Sequence, residues 1–229
     1  MEKIKTGIAG LDDLLSGGLV PGSSALLIGP VGTLKSYMGQ QFIHEGLEHG
    51  EPCAYISTSQ DLDIVHEQMK MNFGWDLKPH VQKGLLSFVD LRMLWELGAP
   101  GAIGKFVDPE RVIEEIRKAE SGISGGRVLI CSLSPLFNFV EEERDVLKII
   151  YALNDRWRKM RITTMYIADE GTQSKAIEEN LKSACDYVLT TEIHGSDRRI
   201  RVSKALTRHG LEWHKLSLTD KGIVTELVL

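Results

Sequence analysis

The chain has 229 residues, of which 42% are hydrophobic and 26% charged, and its formal net charge is −5. This balance excludes a disordered or fibrous chain and shows no global basic bias of the kind nucleic-acid binders carry. The longest apolar runs, such as Ala25 to Ile28 and Val128 to Ile130, fall far short of the roughly 20 residues of a membrane span, so no membrane partner is expected.

Met1 to Ile8 lacks the apolar core and cleavage site of a secretory signal, so a cytoplasmic location is expected. Ser24 to Ile28 is an apolar run stopped by Gly29, and Lys35 to Leu47 follows with a helical period, which reads as strand, glycine loop, helix. Cys53 to Ser57 predicts a second strand and Asp61 to Asn72 a helix. After the Gly74-Trp75 turn comes a third strand near Leu85 to Asp90. Leu91 to Gly104, with Trp95, has no clean periodicity. Asp108-Pro109 opens a helix in cap-then-proline fashion, running to about Glu120, and Gly125-Gly126 precedes the fully apolar strand Val128 to Cys131.

Glu141 to Lys159 predicts a long helix whose first acids, Glu141, Glu142 and Glu143, complement the helix dipole. Its Leu147, Ile150, Leu153 and Trp157 fall on one core-facing stripe. Ile162 to Ala168 reads as another buried strand and Ser174 to Cys185 as a helix. The pattern then changes to short strands, Tyr187 to Glu192, Arg199 to Lys204, Leu211 to Leu218 and Ile223 to Val228, joined by turns such as His194-Gly195-Ser196-Asp197. The expected fold is α/β: one domain over residues 1–229, with a mostly parallel central sheet flanked by helices and antiparallel C-terminal hairpins. Cys53, Cys131 and Cys185 lie far apart with no C-x-x-C pair, so neither a disulfide framework nor a zinc site is expected.

Gly29-Pro30-Val31-Gly32-Thr33-Leu34-Lys35-Ser36 matches the phosphate-loop pattern G-x-x-x-x-G-K-[ST] at three of four fixed positions, in the required strand-to-helix context. Glycines let backbone N–H groups face phosphate, the helix N-terminus adds its dipole, Lys35 adds charge, and the Ser36 hydroxyl is the candidate Mg²⁺ ligand. The candidate nucleotide-binding stretch is therefore Gly29 to Ser36 together with Tyr37. The departure is Leu34, where the pattern has glycine. Its branched side chain is expected to project into phosphate space or to push the loop onto another path, and both weaken triphosphate binding.

Thr6-Gly7-Ile8-Ala9-Gly10-Leu11-Asp12-Asp13-Leu14-Leu15-Ser16-Gly17-Gly18-Leu19-Val20-Pro21-Gly22 resembles the opening of KaiC-like ATPases. Phe73-Gly74-Trp75-Asp76-Leu77 resembles that family's GWDL turn, and Ala184-Cys185-Asp186-Tyr187-Val188 its ADGVI strand entry. The resemblance covers nearly the whole chain and implies a RecA-type P-loop NTPase fold, assembly into rings or filaments, and ATP held between neighbouring subunits. It also implies where the hydrolytic residues should lie. The family's Mg²⁺-orienting aspartate is matched by Cys131, and its two glutamates after the second strand by Ser59 and Gln60. A lysine and an arginine that reach the neighbouring subunit's site are matched by Lys204 and Leu206, with Arg208 two residues further on.

Losing metal aspartate, base and arginine together is expected to leave hydrolysis near the uncatalysed rate. The implied function is a pseudo-ATPase, acting as a regulatory or scaffold subunit in a homo-oligomer or beside a related ATPase. The alternatives are a weak ATP-binding switch and a single-stranded DNA-binding recombination accessory. Whether ATP and Mg²⁺ bind is left open by the sequence.

Asp169-Glu170 lies at a carboxyl strand edge where it could hold a metal or sense nucleotide, but reads first as a solvated loop pair. The run Asp197-Arg198-Arg199-Ile200-Arg201, with Lys204, Arg208, His209, Trp213, His214 and Lys215, offers a nucleic-acid surface, but reads first as a solvated or edge-guarding strand.

Overall fold

The computed structural model describes residues 2–96, 106–120 and 123–227. In chain order the elements are α1 (Leu11–Leu14), β1 (Ser24–Gly29), α2 (Lys35–Glu48), β2 (Cys53–Ser57), α3 (Leu62–Phe73), α4 (Lys78–Gln82), β3 (Leu86–Asp90), α5 (Met93–Glu96) and α6 (Pro109–Ala119). There follow β4 (Arg127–Cys131), a 3-10 turn at Ser134–Asn138, α7 (Glu143–Lys159), β5 (Thr163–Asp169), α8 (Lys175–Ala184), β6 (Tyr187–His194), β7 (Asp197–Lys204), β8 (His214–Thr219) and β9 (Gly222–Leu227).

The strands form one sheet in the order β3-β2-β4-β5-β1-β6-β7-β8-β9. It is parallel from β3 through β6 and antiparallel from β6 to β9. The central strands read as unbroken apolar runs because both of their faces are buried. On one face Leu26, Ile28, Val128 and Ile130 pack with Val112 and Ile116 of α6, Ile150 and Trp157 of α7, and Leu181 of α8. On the other, Ala25, Leu27, Leu129 and Ile167 pack with Met38 and Phe42 of α2 and Val65 and Met69 of α3. Helix α2 packs closely: a Cβ at Gly39 would stand 2.7 Å from the terminal methyls of both Ile167 and Leu129, which would have to shift to admit it.

Local signals explain the helix ends. The carboxylates of Asp61 and Asp108 and the hydroxyl of Ser174 accept backbone N–H groups at the starts of α3, α6 and α8, and left-handed Gly74 closes α3. Helix α7 begins two residues later than the acid run suggests. Glu142 is its cap, in a reciprocal capping box with Asp145, so Glu141 stands outside the helix. Its stripe of Leu147, Ile150, Leu153 and Trp157 is buried as expected.

The third C-terminal strand begins at His214 and not at Leu211, because residues 205–213 form an irregular connection. The turn between β6 and β7 is the two-residue Gly195-Ser196 hairpin. Of the aperiodic stretch 91–104, Met93–Glu96 forms one helical turn, and residues 97–104 lie outside the described residues.

Candidate functional site

The strand order brings the C-terminal ends of β1, β5, β4 and β2 side by side. Gly29 stands in register with Asp169, and Ser57 with Cys131. A cleft of about 580 Å³ opens at this edge, where doubly wound sheets place ligands. Among the expected phosphate contacts, Val31, Gly32, Leu34, Lys35, Ser36 and Tyr37 line it. The replaced family positions Ser59, Gln60 and Cys131 line it too.

The loop itself keeps the wrap of a phosphate loop. Gly32 has φ 87° and Leu34 has φ 68°, ψ 12°, so leucine adopts the left-handed conformation that the pattern reserves for glycine. For a residue with a branched side chain this costs about 1–2 kcal/mol. The half-buried side chain packs against the α2-side core while still lining the cleft. The loop is held open by its neighbours: Thr33 Oγ1 donates to the Pro30 carbonyl at 2.8 Å and lies 2.7 Å from the hydroxyl of Thr191 on β6.

Lys35, at the first turn of α2, is buried at 5% exposure. Its ammonium donates to the carbonyls of Gly29 at 2.8 Å and Pro30 at 2.6 Å, and pairs with Asp169 Oδ1 at 2.9 Å. Ser36, by contrast, is exposed in the cleft.

Among the described residues, the one carboxylate lining the cleft is that of Asp169, paired with Lys35. Cys131 ends β4 as a buried residue, and burial pushes its thiol up from the ordinary value, so it is neutral. Burial likewise pushes the Tyr55 phenol well up. Beyond β2 the chain turns on Ser57, whose Oγ accepts the backbone N–H groups of Ser59 at 3.4 Å and Gln60 at 3.0 Å. Thr58 Oγ1 donates to the Ser132 carbonyl at 2.8 Å and ties the two strand ends together.

Two further residues enter the site. Asp169 is the last residue of β5 and not part of a solvated loop pair, since pairing with β1 continues as far as Gly29. Only Glu170 is exposed. Arg198 belongs to the first residues of β7, and its Nε donates to the Gly32 carbonyl at 2.7 Å. Nothing contiguous in the sequence marks Arg198 as a loop contact, because the β6–β7 hairpin and the β1–β6 pairing together carry it there.

The remaining candidates lie away from this cleft. Lys204, at the far end of β7, donates to the carbonyls of Lys182, Ser183 and Cys185 and so caps the end of α8. Leu206 and Arg208 are exposed in the connection that follows. The basic run of β7 carries both signs in space. Arg199 faces Glu192 across the ladder, Lys215 faces Glu226 and pairs with Asp197 at 2.9 Å, and Arg201 lies over the Trp213 ring at 4.6 Å.

A sheet of this order, with a glycine loop leading from β1 into α2, defines a RecA-type P-loop protein. A family model described as "ATPase: KaiC" matches residues 4–226, so the chain belongs to the KaiC ATPase family. It is 27% identical over 234 residues to a UPF0273 protein of Pyrococcus horikoshii, spanning 97% of this chain and 93% of that one. It is also 26% identical over 234 residues to the circadian clock protein KaiC3 of Synechocystis, where 98% of this chain matches 45% of the relative, so it spans about half that protein. The crystal structure of a KaiC-like protein from Pyrococcus horikoshii superposes with a TM-score of 0.81 at 25% identity, covering 97% of this chain and 98% of the other. No helix among the described residues is long and apolar enough to cross a membrane.

Proposed function

We propose that this chain is a KaiC-family subunit that has kept the phosphate cleft and lost the hydrolytic groups. It acts as a regulatory or scaffold component, through self-association or beside an active relative. The observation that carries the reading is Cys131. At the strand end where the resemblance puts a metal-orienting carboxylate stands a buried, neutral thiol.

The donor set supports phosphate better than metal. The loop, the α2 N-terminus, Lys35 and the exposed Ser36 hydroxyl suit phosphate oxygens. A hard cation such as Mg²⁺ wants carboxylate and carbonyl oxygens. Here the lining offers serine hydroxyls, the neutral amides of Gln60 and Gln68, a neutral thiol and a carboxylate already paired with Lys35. Ser59 and Gln60 supply no general base, although the Gln60 amide could orient a water. We therefore read the cleft as a nucleotide-phosphate site without turnover.

The expected outcome is ATP hydrolysis indistinguishable from a Lys35→Ala control under multiple-turnover conditions, together with light scattering that shows an oligomer or a complex with a relative. Hydrolysis well above that control, or a strict monomer that binds no relative, would sink the reading.

A further inference from the structure

We infer that Asp169 sets the phosphate affinity of the cleft, as an internal anion that an incoming phosphate must displace from Lys35. The inference rests on reading the cleft as a phosphate site.

The lysine that should meet the ligand is already saturated. Its three N–H groups have Gly29 O, Pro30 O and Asp169 Oδ1 within 2.9 Å, and its side chain is 4% exposed. Asp169 in turn does not drift. Its N–H donates to Ser134 Oγ at 2.7 Å, and its carbonyl accepts from Thr172 Oγ1 at 2.9 Å and from Gln173 Nε2 at 3.1 Å. Strand pairing with Gly29 holds the same residue from the other side. The carboxylate therefore stands on a rigid backbone against the ammonium, inside the volume where phosphate oxygens have to enter.

A phosphate that takes Lys35 breaks this ion pair and then faces the released carboxylate as a like charge at close range. The protein state competent to bind is the one with the pair open, and apparent affinity falls by the fraction in which it is closed. The arrangement also explains why a carboxylate is tolerated at this place. A buried ammonium without a counter-charge is costly, and with Cys131 neutral, Asp169 is the one carboxylate that reaches Lys35 among the described residues.

Neutralising Asp169 should therefore move two quantities in opposite directions: ligand-free stability falls while anion affinity rises. A residue with a merely structural role would lower both. The experiment is calorimetric titration of ATP, with Mg²⁺ and with EDTA, into the full chain, Asp169→Asn and Asp169→Ala, beside thermal melts without ligand. Both variants are expected to melt earlier and to bind ATP about tenfold or more tightly, in EDTA as well as in Mg²⁺, because the cause is charge between carboxylate and phosphate. In a Lys35→Ala background the tightening from Asp169→Asn should shrink, as coupled residues require.

Unchanged or weaker binding by cooperatively melting Asp169 variants, with ATP still bound by the unaltered chain, overturns the inference alone. Weakening confined to Mg²⁺ would make Asp169 a metal ligand instead. If neither the unaltered chain nor either variant binds ATP, the phosphate reading fails and the inference falls with it.

Discussion

The two walls of the cleft have fared differently. The loop wall, from Gly29 to Tyr37, keeps its path even though leucine replaces glycine at position 34, whereas the strand-end wall, at Ser59, Gln60 and Cys131, has lost every carboxylate the resemblance leads one to expect. The difference has a physical basis. Backbone path is imposed by many packed neighbours, among them α2 against the sheet at Gly39 and Thr33 against Thr191, so one unfavourable φ is outvoted. Charge belongs to single side chains, and the Asp169 carboxylate that shares the cleft with Cys131 is already paired with Lys35.

The largest effect should come from loosening what holds the loop wall in place. Arg127 of β4, 1% exposed, grips Glu51 with two nitrogens at 2.8 and 2.9 Å. A third nitrogen meets the carbonyls of Lys5 and of Phe42 in α2. Arg127→Ala removes a buried side chain and leaves the buried Phe42 carbonyl and the half-buried Glu51 without their partner, and a loss of about 3 kcal/mol is expected in urea unfolding. A loss under ~1 kcal/mol would show that α2 is held by apolar packing alone.

Next comes pH, which probes how far the sheet beneath the strand-end wall depends on staying neutral. Burial pushes the thiols of Cys53 and Cys185 up to about 12, from 9.0. The folded chain keeps these protons where the unfolded chain has released them, so the stability they contribute is whole below pH 9 and is lost as pH rises toward about 12. The slope is about 1.4 kcal/mol per pH unit for each cysteine, and melting temperatures from pH 8 to 11 would measure it. A flat profile would break the comparison, since it would mean the thiols are not held neutral by the fold.

The smallest effect sharpens the contrast within the loop itself. Leu34→Gly relieves the left-handed strain but gives up a half-buried apolar contact and adds chain entropy, so stability should change by no more than about 1 kcal/mol. Phosphate affinity should rise several-fold as the side chain leaves the cleft, by analogy with the close approach that glycine permits in such loops. Weaker ATP binding by Leu34→Gly in calorimetry would show that leucine has become part of the wall.

Much of the fold was legible in the sequence because its signals are local. Apolar runs ended by glycine, the Asp108-Pro109 start and the Gly195-Ser196 hairpin are each read within a few residues. The helix start at Glu143 and the strand start at His214 were misjudged by two or three residues, since a capping box and an irregular connection leave the hydrophobic period unchanged. Of the site, the glycine loop and the replacements at Ser59, Gln60 and Cys131 were visible, because each sits at a fixed offset from a strand end. Asp169 reads first as part of a solvated pair and second as a site residue, because a strand's last residue and a loop's first residue look alike until the pairing partner is known.

By itself, then, the sequence determined the alternation of strands and helices, the glycine loop with its leucine, and the residues Ser59, Gln60 and Cys131 at the strand ends, all of which are properties of contiguous residues. Only the tertiary structure decided that Lys35 is paired with Asp169, that Cys131 and Ser36 line one cleft, and that Arg198 reaches Gly32. Those contacts depend on β4, β5, β1 and β6 standing side by side. That strand order is settled by how helices cover the sheet across the whole chain, and no short stretch of residues records it.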